Sequence, residues 1–199
     1  MNVKTAWKLA LTLAGALLPT AALAHTGIGA AGGFAHGFWH PIGGLDHVLA
    51  MVAVGAFAVR LGGRAVWLVP AAFLAMMAVG GLVGMERIQL PFVETGIALS
   101  VTMLGLAVAF QWKLPVAAAS ALVGLFAIFH GHAHGSEMPV DASGLAYAVG
   151  FMLATASLHV AGIGLGLAVG RIGARSRLAL QASGGAMALA GVALLSGYL

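Results

Sequence analysis

The chain has 199 residues, 61% hydrophobic and 7% charged, with a formal charge of +4 and no cysteine. Soluble domains carry about 25% charged residues, and a globule of this length cannot hide so much apolar surface, so the natural solvent is lipid. Without thiols there are no disulfides, thiolate metal sites or iron–sulfur clusters; the glycines follow no G-X-Y period, and the basic residues do not cluster as on a nucleic-acid-binding face.

Residues 1–24 have the order of a cleavable secretory signal: Lys4 and Lys8, an apolar run from Leu9 to Ala22, and the small-x-small triplet Ala22-Leu23-Ala24 ahead of His25. Cleavage makes His25 the first residue of a mature chain of 25–199. Its α-amine and ring nitrogen are then a candidate chelate.

Six apolar runs follow, each near the ~20 residues needed to cross a bilayer. They cover about 41–61, 65–85, 91–110, 114–134, 144–170 and 178–198. They are apolar on all sides, as helices in lipid are. The expected fold is all-α: a polytopic membrane protein, a single six-helix transmembrane bundle after the signal peptide. With the mature N-terminus outside, the inner loops carry Arg60, Arg64, Lys113, Arg171, Arg175 and Arg177, and the outer loops carry only Arg87. The positive-inside rule and the signal peptide therefore predict the same orientation. Gly80-x-x-x-Gly84 and Gly162-x-x-x-Gly166-x-x-x-Gly170 predict close helix packing, within or between subunits. They leave the oligomeric state open, and no three-plus-three repeat is discernible.

In this topology the acids and all histidines but one gather toward the outer side. His36 and His40 precede the first span, and Asp46 and His47 lie in its first two turns. If that helix starts at Pro41, where a missing N–H costs little, His40 and His47 are seven apart on one face. Asp46 then needs a partner inside the bundle, or orients His47 as a carboxylate behind a ligand does. Glu94 opens the third span, as a ligand or as an acid favoured by the helix dipole. His130, His132 and His134 end the fourth span. His130, His134 and Glu137 are spaced i, i+4 and i+7 on one face, a chelating pattern, and His132 points elsewhere while the helix lasts. His159, mid-membrane in the fifth span, is either an inner relay for an ion or a core histidine bonded to a backbone carbonyl. Phe73, Met51, Met76 and Met77 read as packing.

The stretches His-Pro-Ile-Gly-Gly-Leu-Asp-His-Val-Leu-Ala-Met-Val-Ala-Val-Gly (40–55) and Phe-His-Gly-His-Ala-His-Gly-Ser-Glu-Met-Pro (129–139) resemble two motifs of the HupE/UreJ family of nickel/cobalt permeases. The resemblance implies a bacterial inner-membrane protein that imports Ni²⁺, or Co²⁺, for hydrogenase or urease maturation. It implies metal-handling roles for His40, Asp46, His47, His130, His134 and Glu137, more loosely for Glu94, and leaves His132 at a variable position.

Imidazole with carboxylate suits Ni²⁺, Co²⁺ or Zn²⁺ rather than Cu⁺. No G-x-x-x-x-G-K-[ST] pattern is present for ATP-driven transport. The ion is the substrate, and no resident cofactor or catalytic activity is expected. The rival readings are an intramembrane zinc hydrolase, with Asp46 or Glu137 as general base, and a cytochrome with paired haem-ligating histidines.

Overall fold

The computed structural model describes residues 29–138, 144–172 and 174–197. The expected signal peptide and His25 lie outside them. Among the described residues there are seven helices and no strand: α1 (Gly29–Gly43), α2 (Leu45–Leu61), α3 (Ala65–Met85), α4 (Val93–Ala109), α5 (Val116–Ser136), α6 (Gly144–Ile172) and α7 (Ala174–Leu195). Four are long and apolar enough to cross a membrane, or five when α1 and α2 count as one bent span. Leu82, Leu125, Val160 and Leu189 are exposed along these helices, as lipid-facing side chains are. The chain is thus a multi-pass membrane protein.

The structure corrects the expected first span. No helix starts at Pro41; that proline lies inside α1, close to its end. The chain breaks at Gly44, which is extended (φ −90°, ψ 115°), and α2 restarts at Leu45 with an 81° bend. The Gly43-Gly44 pair, with its high backbone entropy in a helix, is where α1 gives out. A Cβ on Gly44 would lie 2.9 Å from Asp46 Oδ1, so the carboxylate folds back over a position that must stay bare. The third expected span is the 17-residue α4. At 1.5 Å per residue it covers about 25 Å, short of a ~30 Å hydrocarbon core.

Glycines let the helices touch backbone to backbone. A Cβ on Gly80 would strike the carbonyl of Ile128, and one on Gly84 the carbonyl of His132. From the opposite side, Gly131 faces the Met77 carbonyl and Gly135 that of Gly81. The glycines of the histidine motif therefore seat α5 on α3. Gly55 and Gly162 bring α2 and α6 together, Gly37 and Gly150 join α1 to α6, and Gly105 and Gly184 join α4 to α7. The expected Gly80/Gly84 and Gly162 contacts form within the chain. Between the helices lies a core containing Met51, Val54, Phe57, Phe73, Met77 and Leu104.

Candidate metal centre

The bend at Gly44 decides the geometry of the site. His40 sits on α1 and His47 on α2, so they do not share one helix face as expected. The bend sets them around one residue of α5, with each ring centroid 4.9 Å from that of His134. Two groups of donors result. His47, His130 and His134 form one, and His40, His134 and Glu137 the other; within each group, ligand atoms lie within 4.8 Å of one another. His134 belongs to both. A first-row divalent ion makes ~2.0–2.1 Å bonds to imidazole, so modest side-chain rotation closes either group around an ion.

The expected face of α5 forms. The helix stays regular through Ser136, His130 and His134 are one turn apart, and His134 Nδ1 lies 3.4 Å from Glu137 Oε2. The Glu137 carboxylate also accepts a 2.9 Å hydrogen bond from His40 Nε2. The imidazoles of His134 and His40 hold the Glu137 carboxyl well below the usual carboxylate range, against the opposing effect of partial burial.

Exposure falls along the ladder. The Glu137 side chain is 56% exposed, His40 26% and His134 13%, while His47 and His130 are fully enclosed. Phe151 closes one side, its ring 4.8 Å from His134 and 5.3 Å from His47. The Tyr147 hydroxyl donates to the His134 carbonyl at 3.2 Å. A cleft of about 180 Å³, lined by Met77, Gly81, Met85 and Tyr147 among others, reaches His134 from between α3, α5 and α6.

Other expected ligands lie elsewhere. Asp46 is half-buried in the first turn of α2, and its Oδ1 accepts from the backbone N–H of His47 at 2.8 Å. It joins neither donor group, because the restarted helix offers it free N–H groups and a favourable dipole. Glu94 is exposed in the first turn of α4, the placement that the dipole alone would give. His132 points away, as expected, and its Nε2 donates to the carbonyl of Ile88 at 2.7 Å. His36 is exposed and stacks on His40, with centroids 5.7 Å apart. His159 is 1% exposed, and neither ring nitrogen has a hydrogen-bond partner among the described residues, so the carbonyl-bonded alternative does not hold. Its ring meets the edge of Phe73 at 5.3 Å, and Phe73 in turn lies 5.9 Å from His130.

Two residues escaped the sequence reading. Ser100 Oγ is 2.7 Å from His130 Nε2, and Thr155 Oγ1 is 3.1 Å from His47 Nε2. The available signal was a hydroxyl placed mid-span among apolar residues, which in lipid wants a partner.

The family model described as "HupE / UreJ protein" matches residues 11–194. "Protein HupE" of Rhizobium leguminosarum bv. viciae is 53% identical over 190 residues, covering 96% of this chain and 98% of its own. No solved structure matches.

Proposed function

Since the chain belongs to the HupE/UreJ family, we propose that it is a secondary permease that imports Ni²⁺, or Co²⁺, across the bacterial inner membrane to supply hydrogenase or urease maturation. In this reading the signal peptide is removed, the mature N-terminus is periplasmic, and the bundle has six spans. The bent α1–α2 pair is one of these, and the short α4 is another. Arg60 and Arg64 then mark the cytoplasmic end of α2, opposite the histidines.

The observation that carries the proposal is the pair of donor groups hinged on His134, one partly exposed and one enclosed. A hydrated dication loses water most cheaply in steps, with each lost water replaced by a protein donor before the next leaves. Glu137 supplies negative charge where the ion arrives. The inner trio supplies only neutral imidazoles, so it holds a dication moderately, as a site that must release its ion has to. From there the ion moves inward along α6 past His159, whose two unpartnered nitrogens fit a transfer ligand. Asp46 and Glu94 act from the rim, through the electrostatics of the outer face. A negative-inside potential contributes about 2.3 kcal/mol per charge per 100 mV, roughly 4.6 for a dication. That supports more than thousandfold accumulation without ATP. A zinc hydrolase needs a carboxylate poised over a metal-bound water; Glu137 instead belongs to the outer group, engaged by His40 and His134, which favours the permease.

Proteoliposomes with an imposed inside-negative potential, given Ni²⁺, Co²⁺ and Zn²⁺ in competition, test the proposal. We expect saturable Ni²⁺ uptake that is lost in His134→Ala. Wild-type uptake in that variant refutes the assignment.

A further inference from the structure

The enclosed histidines are each gripped by a hydroxyl whose own proton is already committed. Ser100 Oγ lies 2.6 Å from the carbonyl oxygen of Ile97. Two oxygens approach so closely only with a proton between them, and a carbonyl has none to give, so Ser100 is the donor there. A hydroxyl has one hydrogen, so at 2.7 Å from His130 Nε2 the same Oγ is an acceptor. It follows that His130 Nε2 carries the hydrogen. Thr155 repeats the logic from another helix. Its Oγ1 donates to the Phe151 carbonyl at 3.0 Å and, having no second hydrogen, accepts from His47 Nε2 at 3.1 Å.

In a neutral imidazole only one nitrogen is protonated, and the other carries the lone pair. In both rings that other nitrogen, Nδ1, is buried and without a hydrogen-bond partner. Leaving a buried polar atom unsatisfied costs the full desolvation of that group. Nδ1 of His132 and of His134 has no hydrogen-bond partner either; what sets His47 and His130 apart is their place, since with His134 they offer ligand atoms within 4.8 Å of one another, a space fit to be filled from outside the chain.

We propose that Ser100 and Thr155 are positioning residues. They lock His130 and His47 in the Nε2–H tautomer, so that both Nδ1 lone pairs are presented to a divalent cation before it arrives. This rests on the reading of the His47–His130–His134 trio as an ion site. Outer partners of metal-ligating histidines typically change affinity 10–100-fold when removed. Here the partners come from α4 and α6 and the ligands from α5 and α2, so the lock also ties four helices to one site.

The test is carried out on the full chain in lipid nanodiscs. Histidine tautomers are read from ¹⁵N and ¹³C magic-angle-spinning spectra of the metal-free protein at neutral pH. Ni²⁺ alone is titrated calorimetrically. In the wild type we expect His47 and His130, each assigned by the signal lost in its alanine variant, in the Nε2–H form, beside His40 and His132, whose Nε2 atoms donate to Glu137 and to the Ile88 carbonyl. Ser100→Ala and Thr155→Val release the His130 and the His47 signal, respectively, to a tautomer mixture and each weaken Ni²⁺ binding by about 10–100-fold. Thr155→Ser, which keeps the hydroxyl, restores both readouts. If either ring is Nδ1–H in the wild type, or if the tautomers do not respond to loss of the hydroxyls, the lock is overturned whatever the protein does with metal. Released tautomers with unchanged Ni²⁺ affinity overturn its role in binding. A wild type that shows the expected tautomers but binds no Ni²⁺ leaves the lock in place and overturns the ion-site reading.

Discussion

Replacing Gly131 with alanine adds one methyl to α5 without touching a ligand, and we expect it to disable the site. The new Cβ would overlap the Met77 carbonyl and lie 2.8 Å from Gly81 N. Ordinary carbon contacts are about 3.5–4.0 Å, so α5 has to back away from α3 locally by about 1 Å or more. Overpacking of this kind costs about 1–3 kcal/mol, offset in part by the ~1 kcal/mol by which alanine outranks glycine in a helix. The functional effect is larger than the stability effect, because His130 adjoins Gly131, His134 lies three residues on, and the metal–ligand bonds of a formed site hold to within about 0.2 Å. Ni²⁺ uptake per inserted molecule should fall at least tenfold, with a small loss in thermal stability. Gly164→Ala is the control, since nothing lies within 4 Å of its added Cβ, and it should match the wild type. If Gly131→Ala transports as well as Gly164→Ala, the glycine-seated α3–α5 contact does not set the ligand geometry.

The remaining expectations concern single side chains. His159→Phe should retain Ni²⁺ binding at the outer groups while losing transport, measured by calorimetry beside vesicle uptake; full transport would remove His159 from the path. His132→Gln should loosen residues 86–90 through the lost bond to Ile88 and leave uptake within about twofold of wild type, because His132 joins neither donor group. Glu137 has a lowered pKa in the folded state, so its contribution to stability is present above the unfolded value and is lost only as pH falls through the lower, folded one. Compared with Glu137→Gln in thermal melts, the wild type should therefore keep its small advantage through ~4.3, the ordinary glutamate pKa. An advantage that vanishes there contradicts the pairing with His134 and His40.

The parts of the site legible in the sequence were those set by a single helix. The spacing of His130, His134 and Glu137 fixes a shared face once α5 is a helix, and it sends His132 away from that face. The span 65–85 coincides with α3 because it is a long apolar run bounded by Gly62-Gly63 and by Glu86-Arg87. The break at Gly44 was hidden by Pro41, a residue that suits the start of a helix and here lies near the end of one. What holds α1 in place is its contact with α6 at Gly37 and Gly150, and no local pattern reveals that. For Asp46 and Glu94 the sequence left two roles open, for a related reason. An acid in the first turn of a helix satisfies the local dipole whether or not an ion is near, and both Asp46 and Glu94 occupy first turns. Ser100 and Thr155 act on histidines 30 and 108 residues away, a relation that only the folded chain contains.

The most direct measurement is nickel K-edge X-ray absorption on the Ni²⁺-loaded protein in nanodiscs, wild type beside His47→Ala and His134→Ala. We expect imidazole scattering from several histidines in the wild type, fewer in His47→Ala, and loss of stoichiometric Ni²⁺ in His134→Ala. A nickel environment that is the same in all three proteins would contradict the paired sites hinged on His134.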